Sequence, residues 1–301
     1  MKKSIESSFR NKDRLDKLYK AFQEGNKDQI QEIINDHTYN RELNKKIDAK
    51  DTEWFELKED IVYRLSTPTE NVVIKIFSND YEYPYAEICG NIVATQLLQV
   101  IPFFVRTLDI GKREDQVVII MEYLQSNTET IDLDSPVNLY NFFYQTAYAL
   151  AELEKLCHLV HFDLRYDNIM VKMLPEPRDF FNNGIMCTFI VKIGDFGQCE
   201  MDFGKQGRLV NPDVPRQERY LKKWGLYPKT FSGYDFQYLL SSLTPILDNL
   251  QGVSYYYIYG MLLDYLQPVE FTKAQDRPLI ITEKLPKDIL MFLKQVVYKT
   301  L

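Results

Sequence analysis

One stretch constrains this chain more than any other: Val160-His161-Phe162-Asp163-Leu164-Arg165-Tyr166-Asp167-Asn168-Ile169-Met170-Val171. Apolar residues flank it on both sides, and between them runs a short loop crowded with side chains that do chemistry. Asp163 is a carboxylate that can accept a proton from a hydroxyl. Asn168, further along the same loop, can hold a divalent cation through its side-chain carbonyl. Arg165, between them, can neutralise negative charge on a group in transfer. The same residues could also make a polar turn between two strands, so the rest of the chain decides which reading stands.

Two further motifs agree with the chemical reading. Lys192-Ile193-Gly194-Asp195-Phe196-Gly197 puts Asp-Phe-Gly directly after an apolar strand. Asn71-Val72-Val73-Ile74-Lys75-Ile76-Phe77 sets one lysine in a β-branched run, which reads as a strand with a cation on it. The lysine strand, then His-x-Asp-x-x-x-x-Asn, then Asp-Phe-Gly, in that order, resembles the protein kinases. The resemblance covers roughly residues 50 to 301. The compact, divergent style is similar to that of kinases carried by large DNA viruses. A chain rich in Tyr, Lys, Asn and Ile fits the AT-rich genome of such a source.

The resemblance implies an α+β, two-lobed protein-kinase-like fold with a small β-rich N-lobe and a larger helical C-lobe. It divides the chain into a helical N-terminal extension (1–49), an N-lobe (50–121), and a hinge with the C-lobe (122–301). It implies ATP in the cleft, with Mg2+ (or Mn2+) held by Asn168 and Asp195. Lys75 would hold the α- and β-phosphates, paired with a glutamate of the next helix. Glu87 is the best match for that glutamate and Glu82 the reserve. Asp163 would orient and deprotonate the acceptor hydroxyl, and Arg165 would steady the γ-phosphoryl. Met121 would border the adenine pocket. The backbone of Glu122 and Leu124 would bond the adenine edge, which leaves their side chains little to do. Asp235, early in a strong C-lobe helix, would hold the backbone of the loop. A cation two residues after the aspartate is the serine/threonine pattern of the family, and Arg165 stands there. The acceptor is then a protein whose identity no motif specifies.

Two rivals remain. In the family, a Gly-rich turn lets backbone N–H groups approach the phosphates. Here the turn is Lys58-Glu59-Asp60, and no glycine occurs between Gly25 and Gly90. Two carboxylates at that place argue for a pseudokinase that binds or scaffolds without chemistry. Aminoglycoside and choline kinases carry a similar loop, which leaves a small-molecule kinase as the other rival. The long segment from Asp195 to Asp235 favours a protein substrate over a small one.

Composition narrows the rest. A chain of 301 residues with 45% hydrophobic content can bury a two-lobed core and is not disordered. A net charge of −7 argues against non-specific nucleic-acid binding, which needs a cationic face. The four cysteines lie far apart, with no Cys-x-x-Cys, and read as reduced buried thiols. The histidines show no metal-ligand spacing, so no zinc site is expected. No apolar run reaches the ~18–20 residues a membrane helix needs. The N-terminus is charged from Lys2 and has no signal-peptide core. Together these features point to an intracellular, cytoplasmic protein.

Local patterns complete the expectations. Leu15, Leu18, Tyr19 and Phe22 form one helical stripe and Ile30, Ile33 and Ile34 a second, with Gly25-Asn26 between them. They read as an extension packed on a lobe or as a segment for docking a partner. A helix should start near Pro84, with Cys89, Val93, Leu97 and Val100 as its buried stripe. Phe103–Leu108 and Gln116–Ile120 should pair as a hairpin joined through Gly111. Ser135 should cap a helix whose buried face is Leu139, Phe143, Leu150, Leu153 and Cys157. Arg216, Arg219, Lys222, Lys223 and Lys229 form a basic cluster, read as a solvated face or as a docking surface for an acidic partner.

Overall fold

The computed structural model describes residues 7–58, 61–77, 84–127, 131–202, 208–209, 234–247, 258, 260–262, 264–265 and 285–300. Glu59, Asp60, Glu82, the basic cluster from Arg216 to Lys229, Thr230, Ser232 and Gly233 lie outside these residues.

The chain begins with three short helices, α1 (Lys12–Gln23), α2 (Lys27–Ile34) and α3 (His37–Ile47). Each opens on a side chain that accepts an otherwise orphaned N–H. Asn11 takes that of Arg14, Asn26 that of Gln29 and Asp36 that of Tyr39. The sequence shows only two apolar stripes here. The third helix is carried by little more than Leu43 and Ile47, both buried, and its cap is the stronger signal.

Five strands follow the extension into one antiparallel sheet. They are β1 (Glu53–Lys58), β2 (Val62–Ser66), β3 (Asn71–Phe77), β4 (Thr107–Arg113) and β5 (Gln116–Glu122), in the spatial order β1-β2-β3-β5-β4. Between β3 and β4 comes α4 (Tyr85–Leu97). The two-residue period of β3 sends Val72, Ile74 and Ile76 to one face and Lys75 to the other. The first face meets α3 in a small core with Leu43, Ile47, Val118 and Ile120. The second meets α4 in the main core, through Val117, Ile119 and Met121. Strand β5 is therefore buried on both faces, which explains its unbroken apolar run.

The extension packs closely. Arg14 donates from Nε to the Ile110 carbonyl (3.1 Å) and lies 3.8 Å from Asp109. Tyr39 donates its hydroxyl to Asp109 and its ring lies under the Arg14 guanidinium. Asn40 accepts the Lys112 N–H at 3.0 Å.

Three expectations change. Gly111 is not in the hairpin turn; it lies within β4. A Cβ there would stand 2.7 Å from Leu43 Cδ2 and 2.8 Å from Asn40 Oδ1, so the close seat of α3 on β4 requires glycine. The turn falls at Glu114-Asp115, with Glu114 in left-handed backbone (φ 55°). Phe103, Phe104 and Val105 are buried irregular chain before β4, tied to Ile193 by two backbone hydrogen bonds of 2.9 Å. Val100 lies past the end of α4 and is 77% exposed. The helix itself is buried nearly all round.

The larger lobe begins beyond β6 (Ser126–Asn127) with α5 (Pro136–Cys157). All five expected face residues of α5 are buried, but Ser135 makes no side-chain cap. Its carbonyl accepts the Leu139 N–H instead. Strands β7 (Ile169–Arg178) and β8 (Cys187–Ile193) pair antiparallel, with β6 on the β7 edge. Strand β7 runs outward to Arg178. Asp179 then accepts the N–H groups of Phe181, Asn183 and Gly184, which closes the turn. Short strands β9 (Met201–Asp202) and β10 (Arg208–Leu209), then α6 (Tyr234–Leu247) and α7 (Pro286–Thr300), follow. Phe236, Leu239, Leu240 and Leu243 of α6 are buried. This is the expected α+β, two-lobed fold. Among the described residues, no helix is long and apolar enough to cross a membrane.

Candidate active site

The site is built where the sheet lobe meets the loop between α5 and β7. Lys75 points from β3 toward α4. Its ammonium lies 3.0 Å from Glu87 Oε2 and 2.6 Å from Asp195 Oδ1. Glu87 sits in the first turn of α4, and Asp195 follows β8. Burial works against charge on Lys75, but the two carboxylates outweigh it and hold its pKa above the ordinary lysine value. Glu87 is itself buried, which raises its carboxyl, while Lys75 pulls it back. Burial also disfavours charge on Asp195, but Lys75 brings its carboxyl below the usual range.

Local structure explains the reach of Asp195. Its backbone is left-handed (φ 60°), a strained conformation for a residue with a side chain. The kink turns Phe196 into the core, where it is fully buried beside His161 (ring centroids 5.2 Å) and against Gly90 of α4. With Phe196 inward, the carboxylate faces the cleft. His161 is bonded through Nε2 to the Gly194 carbonyl at 2.9 Å. A carbonyl only accepts, so Nε2 carries the proton.

The loop is held from below. Asp235, in the first turn of α6, accepts the N–H of His161 (2.7 Å) and of Phe162 (2.8 Å). Burial pushes its carboxyl up to about 6, against the pull of His161 and those two N–H groups. Ser242 Oγ accepts the Tyr166 N–H (3.0 Å). Phe162 takes the second left-handed turn of the site (φ 61°), which presents Asp163 upward. Asn168 donates from Nδ2 to the Asp163 carbonyl (2.7 Å) and lies 3.3 Å from its carboxylate. That turns the Asn168 Oδ1 the other way. Arg165 lies with Nε 3.2 Å from Asp163 Oδ1 and Nη1 3.8 Å from Asp167.

The structure thus brings Lys75, Glu87 and Asp195 into one cluster and Asp163, Arg165 and Asn168 into one loop. Met121, at the end of β5, is buried, and Leu124 is packed against the main core. Glu122 departs from its expected idleness. Its side chain accepts the Arg106 N–H (2.9 Å) and the Lys192 ammonium (2.9 Å). Lys192 also donates to the Phe104 carbonyl (2.9 Å). The buried Lys192 ties β8 to the end of β5, and burial lowers its pKa. The sequence signal was there, a lysine at a core position of an apolar strand, but only tertiary contact gives it meaning. The thiols of Cys89, Cys157, Cys187 and Cys199 are all free and buried. Burial raises their pKa, so they are not nucleophiles.

A five-stranded sheet lobe with one docked helix, a helical lobe, and a lysine–glutamate pair facing an Asp-Phe-Gly turn define a protein-kinase fold. The chain belongs to the protein tyrosine and serine/threonine kinase family, whose model matches residues 58–209. It is similar to "Probable kinase 098L" of Invertebrate iridescent virus 3, at 27% identity over 175 residues. That match takes in 56% of this chain and 33% of the viral protein, so the chain spans about a third of its relative's length.

Proposed function

We propose that the protein is a catalytically competent kinase that transfers the γ-phosphoryl of Mg-ATP to serine or threonine hydroxyls of a protein. The observation that carries this reading is Lys75 held between Glu87 and Asp195 while Phe196 is buried. The cation is then aimed before any ligand arrives. The relative's printed name, a probable kinase, supports the same class.

Each residue has a physical task. Lys75 neutralises the α- and β-phosphates. The N–H of Glu122 is spent on the Arg106 carbonyl (2.9 Å), so adenine meets that residue through its carbonyl and Leu124 through its backbone. Met121 closes the back of the adenine pocket. Asp163 orients the acceptor hydroxyl and takes its proton, held in place by Asn168 and by the two N–H bonds under the loop. Arg165 moves from Asp163 toward the γ-phosphoryl as negative charge builds there. The Asp195 carboxylate and the Asn168 Oδ1 form a hard oxygen donor set of the kind Mg2+ or Mn2+ prefers. A cation held there would neutralise negative charge on the phosphates.

The glycine-free turn at Lys58-Glu59-Asp60 favours a second reading, a pseudokinase that binds without transferring. One experiment separates the two. Purified protein is incubated with labelled ATP, magnesium or manganese, and generic protein acceptors, beside Asp163→Asn. The substitution is nearly isosteric and should leave the melting temperature unchanged. Loss of a general base typically costs about 10²- to 10⁴-fold, so transfer should drop by at least that lower bound. Equal traces of transfer from both proteins would establish the scaffold reading.

A further inference from the structure

Helix α4 is buried almost all round, yet one of its rows is polar. Glu87, Asn91 and Thr95 stand four residues apart, on one face. Asn91 is fully buried. Its Nδ2 donates to the Glu87 carbonyl (2.8 Å) and to Glu87 Oε1 (3.1 Å). Both partners are acceptors only, so the amide cannot be turned around. Its Oδ1 accepts the Thr107 hydroxyl at 3.1 Å, and the Thr107 N–H is donated to Thr95 Oγ1 at 3.2 Å. Thr107 is the first residue of β4 and is fully buried.

The two oxygens of Glu87 therefore have different keepers. Oε2 meets Lys75 at 3.0 Å, and Oε1 meets Asn91. A buried apolar contact tolerates a small rotation of a helix, because dispersion is not directional. A buried amide between a carboxylate and a hydroxyl does not, because a rotation leaves a polar group without a partner. Buried polar pairs are best attested as devices that fix register, often at some cost in stability.

We infer that Asn91 is a positioning residue for Glu87, keyed by Thr107 so that α4 locks onto β4 at the rotation where Glu87 aims Lys75. The inference rests on the proposed role of Lys75 in holding phosphate. It predicts that function, more than folding, is lost when the key is removed. Asn91→Leu with Thr107→Val removes the amide and the hydroxyl together and leaves apolar groups of similar size, so only Glu87 Oε1 loses a partner and the melting temperature should fall by no more than a few degrees. Mg-ATP affinity, read by titration calorimetry, should weaken 3- to 10-fold, and phosphotransfer should fall further, by roughly 10- to 100-fold. Thr107→Val alone should lose part of this, and nothing more when added to Asn91→Leu.

Asn91→Asp supplies a readout that a structural role would not move. The new carboxyl loses the donor and sits beside Glu87, and two carboxyls so close share one proton. Lys75 from β3, Asp195 from the loop after β8 and the buried Cys199 thiol are the other charged or titratable groups around Glu87. None changes charge between about pH 6 and 8, given a raised lysine, a raised thiol and a lowered carboxyl. In the variant, the shared proton restores a donor toward Glu87 as pH falls. Its affinity relative to the wild type should recover from pH 8 to pH 6. A loss by the same factor at every pH, or no loss at all, overturns the inference. Lys75→Met keeps the two ideas apart. If it leaves Mg-ATP affinity unchanged, the reading of the site fails; if it weakens affinity while Asn91→Leu does not, only the Asn91 inference fails.

Discussion

Gly90 shows how far a single residue decides this site. Alanine in mid-helix is ordinarily better than glycine by about 1 kcal/mol. At Gly90 an added Cβ would stand 2.4 Å from Phe196 Cβ and 2.7 Å from its Cγ, both closer than carbon atoms approach. Phe196 would have to leave its place, and Asp195, one residue before it, would leave Lys75. Gly90→Ala should therefore cut phosphotransfer by 10-fold or more, read in steady-state kinetics, with a change of melting temperature far smaller than a core cavity gives. Full activity with a higher melting temperature would show that Phe196 yields without moving Asp195. Nothing in the sequence marks Gly90 for this role. Lys75, Asp163, Asn168 and Asp195 could be picked out because the chemistry demands those residue types at fixed spacings. Gly90, Asn91 and Lys192 have no such spacing, because each is specified by a neighbour far away in the chain: Phe196, Thr107 and Glu122.

At the scale of elements, strands announced themselves and connections did not. The three runs at 54–57, 61–65 and 72–77 were legible because each is rich in β-branched or aromatic residues and polar turns separate them. The hairpin turn was misplaced because Gly111 looks like punctuation until α3 is seen lying on β4. The seat of the extension makes its own prediction. Asp109 is buried beside Arg14 and Tyr39, and burial pushes its carboxyl up to about 6, against about 3.9 for a free aspartate. Between these values the native state keeps a proton that the unfolded chain has already released. Stability therefore falls as pH rises through that window and levels off above it. At about 1.4 kcal/mol per unit, the loss is up to roughly 3 kcal/mol. Asp109→Asn cannot ionise. Its stability relative to the wild type should rise from pH 4 to pH 6.5 in urea melts, on top of a constant loss from replacing one of the two oxygens that accept from Tyr39 and Ile110. A flat difference would mean that Asp109 titrates normally. The turn after β1 yields another expectation. In sequence order Glu59 and Asp60 stand where the family has its glycines, and like charges ~4 Å apart repel by roughly 1–4 kcal/mol. Mg-ATP should bind more weakly than to a glycine-loop kinase, and Glu59→Gly with Asp60→Gly should tighten binding at least 5-fold by calorimetry. Unchanged affinity would place both side chains away from the nucleotide.

At the scale of the whole molecule, the question is what holds the two lobes and α4 in a working arrangement. In many members of the family an arginine stands immediately before the catalytic aspartate, and a phosphorylated residue of the activation segment must neutralise it. Here that position is Phe162, half-buried, with its N–H taken by Asp235. Other contacts hold α4 and the strands around it. The extension braces α4 from behind: Leu15, Leu18 and Phe22 share its core, Gln96 donates to Asp16 at 3.1 Å, and Tyr85 donates to the Lys27 carbonyl at 3.3 Å. The Lys192–Glu122 pair ties β8 to the end of β5, and Glu87 already meets Lys75. A phosphate on the activation segment has no cation at residue 162 to pair with, so its ordering effect should be absent. Protein treated with a phosphatase, and the variant with Thr230→Ala and Ser232→Ala, should keep the transfer rate of untreated protein within about 2-fold, a difference of only ~0.4 kcal/mol in barrier. Arg216 and Arg219 are the cations that could serve in place of the missing arginine. If dephosphorylation abolishes transfer and rephosphorylation restores it, one of them does. Arg216→Ala and Arg219→Ala would then identify which, because only loss of the arginine that pairs with the phosphate would make the transfer rate indifferent to phosphorylation.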